Sequence, residues 1–278
     1  MKHDHRFKAT DWALVLGASS GFGAATALEL ARNGMSILGI HLDRQATMPQ
    51  VDQMIREIKH QGVKSIFYNV NAADPIKRNE ILDDIKEQFA PDSHNTVKVL
   101  LHSLAFGTLK PLVATKKDEA MTQAQMEMTL DVMAHSLVYW TQGLMVRHLM
   151  KKGGRIFAMT SSGGHSAIPF YGAVSAAKAS LESHIRQLAM ELGPLGITAN
   201  ALMAGVTDTP ALRKIPGADK MLEVARAKNP AGRLTLPEDI AKAIVVLSED
   251  YANFISGNVI GIDGGEDVVS FVGQRYHS

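Results

Sequence analysis

Short apolar runs and amphipathic stretches alternate along almost the whole chain. The apolar runs fall at 12–16, 36–40, 63–70, 97–101, 154–159, 197–202 and 258–262. Runs of this length with few polar interruptions predict strands covered on both faces, the situation of a parallel sheet. Between them the hydrophobic positions recur at helical spacing. These stretches predict a helix from about 21 to a stop at Asn33-Gly34, helices over 49–61 and 75–89, and one or two long helices within 118–151. A further helix should end near Leu192, and another, opened by Pro237, should occupy 237–248. No repeat, low-complexity tract or linker divides the series. The pattern predicts an α/β fold: a single doubly wound domain over 11–278, with a parallel sheet and helices on both faces, preceded by a mobile tail at 1–10.

Composition narrows the function classes. With 278 residues, 46% of them hydrophobic, the chain can bury one substantial core. A formal charge of +1 makes no electrostatic case for a nucleic-acid or membrane partner. The absence of cysteine removes disulfide frameworks and thiolate zinc sites, and no metal is expected. No apolar run is long enough to span a bilayer. The start, MKHDHRFKATDW, lacks the apolar core of a signal peptide. The expectation is a soluble cytoplasmic protein.

Candidate chemistry sits where predicted strands end. The first runs into GASSGFG, residues 17–23. Gly17 allows a tight exit from the strand, Gly21 a close approach of phosphate to backbone, and Gly23 close packing of the helix, whose free N–H groups face the anion. The spacing G-x-x-x-G-x-G differs from the commoner G-x-G-x-x-G dinucleotide fingerprint, and glycine-rich turns also occur without a ligand. The second strand is followed by His41, Leu42, Asp43 and Arg44. An acidic residue first in line would favour NAD; here His41 and Arg44 are placed to meet a 2′-phosphate and Asp43 to bond ribose hydroxyls, or all three form an exposed polar loop. Asn69-Val70 ends the third strand, where an adenine edge would lie. HSLAFG, residues 102–107, leaves the fourth strand with small side chains that let backbone line a ribose.

Residues 160–181 carry the pair on which a reaction would turn. The fifth strand delivers Thr160, Ser161 and Ser162, and Tyr171 then precedes Lys178 by seven positions at the start of a helical pattern. Seven residues are almost two turns, so the side chains share a face about 10 Å apart along the axis. That is too far for direct contact, and a bound cofactor between them would unite them in one site. Read alone, the pair favours an ordinary aromatic and a solvated helix charge; the nucleotide site that the rest of the chain supplies, with its parts in matching order, turns the reading toward one shared site. After the sixth strand come Ala204 to Thr209, then a proline-punctuated stretch to Arg233 with apolar Leu212, Ile215, Met221 and Leu222, which reads as a flexible lid over an apolar ligand, about 207–233 in all.

Taken in order, GASSGFG, Asn69-Val70, the serines after the fifth strand, the Tyr–Lys helix, Ala204-Gly205 to Thr209 and the closing DGG resemble the short-chain dehydrogenase/reductase family over about 11–268. The resemblance implies a Rossmann-type subunit, a nicotinamide cofactor and usually a homotetramer. The departures point to one branch. Common members carry Tyr-x-x-x-Lys, but Val174 stands four residues before Lys178; they carry Asn-Asn-Ala-Gly where this chain has His102-Ser103-Leu104-Ala105; and Met133 occupies the place of their relay asparagine. Tyr-x6-Lys, His-Ser-Leu-Ala and Ala-Gly together resemble the enoyl-acyl-carrier-protein reductases, especially their NADPH-linked type. A second tyrosine found in many of these is replaced near 161 by Ser161 and Ser162.

The branch implies reduction of the 2,3 double bond of an enoyl thioester, presented on acyl carrier protein, in fatty acid synthesis. Tyr171 would donate to the developing enolate oxygen, Ser161 or Ser162 would add a second hydrogen bond, and Lys178 would hold the nicotinamide ribose and favour the ionised form of Tyr171. The implied cofactor contacts are Gly17, Ser19, Ser20, Gly21, Phe22 and Gly23 at the phosphates, and His41, Arg44, Asn69 and Val70 at the adenosine end. Ser103, Leu104, Ala105, Lys178, Ala204, Gly205, Val206, Thr207 and Thr209 would surround the ribose and nicotinamide. NADPH is the expected cofactor, with NADH as the alternative. The competing functions are a 3-ketoacyl or hydroxysteroid-type carbonyl reductase of the same family and a non-catalytic nicotinamide-nucleotide-binding protein.

Overall fold

Seven parallel strands form one sheet in a computed structural model that describes residues 5–116 and 118–270. They are β1 (Asp11–Leu16), β2 (Ser36–His41), β3 (Ser65–Asn69), β4 (Thr96–His102), β5 (Arg155–Thr160), β6 (Thr198–Ala204) and β7 (Val259–Ile262), in the spatial order β3-β2-β1-β4-β5-β6-β7. Every residue of β2 and β5 is buried because helices cover both faces, which is why these strands read as apolar runs rather than alternating ones. Alternation along β1 still divides the core. Leu14 and Leu16 pack with α3 (Pro75–Phe89), α5 (Ser136–Val146) and α6 (Gly172–Leu192), and Ala13 and Val15 with α1 (Gly21–Arg32), α2 (Met48–His60) and α8 (Pro237–Leu247).

Helix starts follow local chemistry. Asp74 caps α3 by accepting from the Ile76 and Lys77 N–H groups at 2.8 and 3.0 Å, and Pro75 occupies the first helical position. The long helical region expected from 118 begins later, at α4 (Gln123–Leu130). Thr122 and Gln125 form a reciprocal capping box there, with bonds of 3.3 and 3.1 Å. A five-residue π-helical turn, Asp131–His135, joins α4 to α5. The seventh helix, α7 (Ala218–Lys228), lies in the segment expected as a lid.

The expectation of a mobile tail over 1–10 is corrected for its second half. Phe7 is only 6% exposed, packed into the core beside α1 and α2. Its N–H donates to Asn33 O at 3.1 Å, and Arg6 pairs with Glu249. An apolar ring in a charged segment is a docking point, since its burial stabilises by roughly 1.5–3 kcal/mol. Residues 1–4 of that expectation lie outside the described residues. No helix among the described residues is long and apolar enough to cross a membrane.

The sheet order reverses between β1 and β4, adjacent strands whose chains depart to opposite faces. In open α/β sheets the crevice at such a point, outside the carboxyl ends of the strands, is where ligands bind. The ends of β1, β4, β5 and β6 meet there.

Candidate active site

Backbone packs against backbone at the mouth of β1. A Cβ added to Gly17 (φ +88°) would lie 2.4 Å from Ser103 O, and one added to Gly23 would lie 2.0 Å from Gly17 O. The exits of β1 and β4 and the first turn of α1 therefore touch in a way no side chain permits. Ser20, at the N-cap of α1, is extended and makes no side-chain capping bond, which leaves the first N–H groups of the helix for an anion. Thr209 reaches over from the far side, its Cγ2 3.7 Å from where a Gly21 Cβ would be.

At the end of β2 the structure reassigns several residues. His41, expected in the loop facing a 2′-phosphate, is the last residue of β2, 4% exposed, with Nδ1 2.9 Å from Asp43 Oδ2. It is corrected to a buried support of Asp43, because one further residue of strand turns its ring inward beside Phe67. Asn69 is corrected likewise. Its amide bonds the Asp43 main chain in both directions, accepting from Asp43 N and donating to Asp43 O, each at 2.9 Å, so the side chain locks the loop rather than facing an adenine. Val70 is half-buried, packed on the core, and donates its N–H to His41 O at 2.7 Å. Burial alone would raise the pKa of Asp43, yet hydrogen bonds from Ser19, Thr47 and His41 outweigh it and hold the carboxyl below the usual range. Arg44 remains exposed beside it.

The reacting end lies across β4, β5 and α6. Tyr171 stands at the N-cap of α6 rather than within it, preceded by Phe170 in a left-handed conformation (φ +64°) that re-aims the chain into the helix. Gly163 makes room for its ring: a Cβ there would lie 2.6 Å from Tyr171 Cε1. The Ser161 hydroxyl lies close enough to that of Tyr171 to act on its titration, and Ser161 Oγ accepts from Gly163 N at 3.2 Å. Ser162 instead uses its carbonyl to hold Ser166, so Ser161 is the serine that meets the tyrosine. Burial raises the Tyr171 pKa and the Ser161 hydroxyl opposes it, leaving it above the ordinary phenol value. With burial dominant, Tyr171 is a protonated donor at neutral pH.

Lys178 is buried and donates to Met159 O at 2.6 Å, which leaves two of its three N–H donors for the cleft it lines. Burial lowers its pKa to about 8, partly opposed by Glu182 one turn along α6. Glu182 in turn accepts from Thr160 Oγ1 at 2.6 Å and so ties the end of β5 to the helix. It escaped the sequence reading, although its i,i+4 spacing from Lys178 signals it. His102 was legible only as part of a motif, without a contact of its own. Ser136 Oγ donates to Val132 O at 2.8 Å, so the 2.8 Å bond between His102 Nε2 and Ser136 Oγ requires His102 to be the donor. Burial and the nearby Lys178 charge depress its pKa to about 3, and it stays neutral.

The cleft these groups line brings together Phe22, Ser103, Leu104, Ala105, Ser161, Tyr171, Lys178, Ala204, Gly205, Val206, Thr207 and Thr209 of the expected set. The segment expected as a lid contributes Leu212, Lys214, Ile215 and Met221 to its wall. Arg213 there pairs with Asp208 and Asp219, each at 2.6 Å. Val174 and Met133, in the places of the common tyrosine and asparagine, both line the cleft and converge on Gly107, where a Cβ would lie 2.9 Å from Val174 Cγ2 and 3.0 Å from Met133 Sδ. That wall offers no proton.

The residues present fit a nicotinamide dinucleotide: a side-chain-free cradle and uncapped helix start for phosphates, then a buried cation and a phenol at the far end. Comparison with known proteins agrees. The family model described as Enoyl-(Acyl carrier protein) reductase matches residues 17–266. The chain is 26% identical to a 3-oxoacyl-[acyl-carrier-protein] reductase of Thermotoga maritima over 91% of this chain and 96% of that one. Two solved structures share the fold. An enoyl-(acyl-carrier-protein) reductase of Anaplasma phagocytophilum in complex with NAD has a TM-score of 0.79 at 19% identity, covering 96% of this chain and 97% of that one. A short-chain dehydrogenase of Burkholderia cenocepacia in complex with NADP has a TM-score of 0.77 at 24% identity, covering 93% and 98%. With the ordered motifs and the site geometry above, these matches establish that the chain belongs to the enoyl-acyl-carrier-protein-reductase-like short-chain dehydrogenase/reductases, a family of nicotinamide-dependent oxidoreductases.

Proposed function

We propose that the protein reduces the 2,3 double bond of an enoyl thioester. The observation that carries this reading is that Tyr171 and Ser161 line one cleft in which Val174 and Met133 present only apolar surface. A reduced nicotinamide supplies, when bound, a hydride for the β-carbon. The electron pair of the double bond then moves toward the thioester oxygen, and the protein's task is to stabilise that oxyanion. Tyr171, protonated and largely withdrawn from water, donates to it; the α-carbon takes its proton as the enolate collapses, passed on from the Tyr171 hydroxyl by way of the enol, and solvent reprotonates the phenol. Lys178 holds ribose hydroxyls with the donors that Met159 O leaves free. The apolar wall from Leu212, Ile215 and Met221 suits an acyl chain and keeps water from the reacting carbons.

Carbonyl reduction is the second reading, favoured by the same hydroxyl pair, which would serve a ketone oxygen, and by the name of the Thermotoga maritima relative. Assay of the purified protein with crotonyl and acetoacetyl thioesters, with NADPH and with NADH, separates the two. Crotonyl-thioester turnover is expected; turnover of the acetoacetyl thioester alone would overturn the proposal.

The proposed cofactor is NADPH. With His41 buried, the reading rests on Arg44, an exposed residue that follows the ionised Asp43 in the chain. Arg44→Ala should raise the KM for NADPH several-fold while leaving that for NADH near its starting value, since exposed charge pairs contribute about 1 kcal/mol or less. Steady-state kinetics with both cofactors checks this, and an unchanged ratio would leave Arg44 as a solvated loop charge.

A further inference from the structure

Glu266 is a buried acid that the proposed reaction does not use. It follows the Asp263-Gly264-Gly265 turn after β7 and is only 8% exposed. Oε1 accepts from the Val206 N–H at 3.2 Å. Oε2 has no hydrogen-bond partner among the described residues and sits 2.9 Å from where a Cβ on Gly205 would be. The carboxylate thus packs against the 204–209 loop at Gly205 and Val206.

Its own position is fixed. Asp263 accepts from Gly265 N at 2.9 Å and Asp267 N at 2.8 Å, and Asn229, itself buried, donates to Asp263 O at 2.7 Å. A turn held this firmly makes the carboxylate a rigid anchor and the loop the part that yields. Loop position matters because a dinucleotide lying across the strand ends meets its nicotinamide end at Val206 and Thr207.

We propose that Glu266 is a positioning residue whose ionised carboxylate clamps the Val206 N–H and sets the loop that receives the nicotinamide, and whose protonation releases it. A charged acceptor makes a stronger hydrogen bond than a neutral one, so the clamp differs between the two forms. Burial raises the pKa of Glu266; the Val206 N–H and Asn229 lower it, Asp263 raises it and Lys228 lowers it, with a net rise. Nearby, Arg233 and Asp239 pair with each other at the rim, and Asp267 faces His165. The sign follows: the clamp is closed above the raised pKa and opens as pH falls through it, at a pH above the ordinary glutamate value. The inference rests on the reading that Val206 and Thr207 face the nicotinamide.

Two measurements test it. In the cofactor-free protein, the Val206 amide resonance should titrate with a midpoint above the ordinary glutamate value and stay fixed over that range in Glu266→Gln, which keeps shape but not charge. By fluorescence titration, the Kd for NADPH of Glu266→Gln should exceed that of the parent by about five-fold at neutral pH and converge with it below the midpoint. The 2′-phosphate titrates identically against both proteins, so it cancels in that ratio. A Val206 resonance indifferent to pH, or a Kd ratio constant with pH, overturns the clamp while leaving the cofactor site standing. Failure of the parent to bind NADPH at any pH overturns both. Should Glu266→Gln not fold, the parent's Val206 titration alone decides, since it must appear if the clamp exists.

Discussion

Tyr171→Phe should lower kcat for the enoyl thioester by about 10²–10³ and leave cofactor affinity unchanged. The substitution removes one hydroxyl and keeps the ring that Gly163 accommodates, so packing at the start of α6 survives. What is lost is a donor aimed at charge that develops only in the transition state, an interaction worth roughly 2.7–4 kcal/mol in comparable oxyanion sites. The loss belongs in kcat because the ground-state thioester oxygen carries little charge to stabilise. Turnover measured beside a fluorescence titration of NADPH reads both quantities. Near-full enoyl reduction by the variant would remove Tyr171 from the reaction and make Ser161, its neighbour in the cleft, the donor.

Lys178→Ala should weaken cofactor binding as well as rate. The ammonium is buried, with one donor spent on Met159 O and the others facing the cleft. Charge-assisted hydrogen bonds contribute about 1.5–3 kcal/mol, so the Kd for NADPH should rise by about ten-fold to a hundred-fold. The same residue sets a pH limb. Burial brings its pKa down to about 8, with Glu182 opposing, so the lysine is charged below that value and neutral above it. Cofactor affinity in the unsubstituted protein should therefore fall as pH rises through about 8, and this limb should vanish in Lys178→Ala. Tyr171, raised above the ordinary phenol value, stays protonated through this range and adds no limb of its own. Parallel Kd titrations from neutral to alkaline pH test the assignment. A limb that persists in the variant would belong to another group.

Much of this protein was legible along the chain. A strand buried on both faces must be apolar over its length, and a helix on a sheet must repeat its apolar positions every three or four residues. Both rules act over a few neighbours, so all seven strands and the doubly wound order appear in the sequence, with ends shifted by a residue or two. Gly17 and Gly23 were legible for a similar reason, since a turn from strand to helix within seven residues leaves no alternative to backbone contact. The start of α4 was misplaced because the Thr122–Gln125 capping box outweighed the propensity of the residues before it. Tyr171 and Lys178 stood out through their spacing together with the ordered motifs around them, whereas the i,i+4 spacing of Glu182 from Lys178 gains meaning only with its bond to Thr160.

Sequence alone thus determined the alternation of elements, the glycine cradle and the tyrosine–lysine order, each set by interactions among neighbours in the chain. The tertiary structure decided which polar groups remain free to meet a ligand. His41 and Asn69 look identical in the sequence whether they face a nucleotide or not; the parallel pairing of β2 with β3 sets them opposite one another, and their bonds to Asp43 use them up. Val206 and Glu266 are sixty positions apart and meet because β6 and β7 lie side by side with their ends level. Such contacts depend on how crossover connections return each strand to the sheet, and no window of the sequence contains both partners.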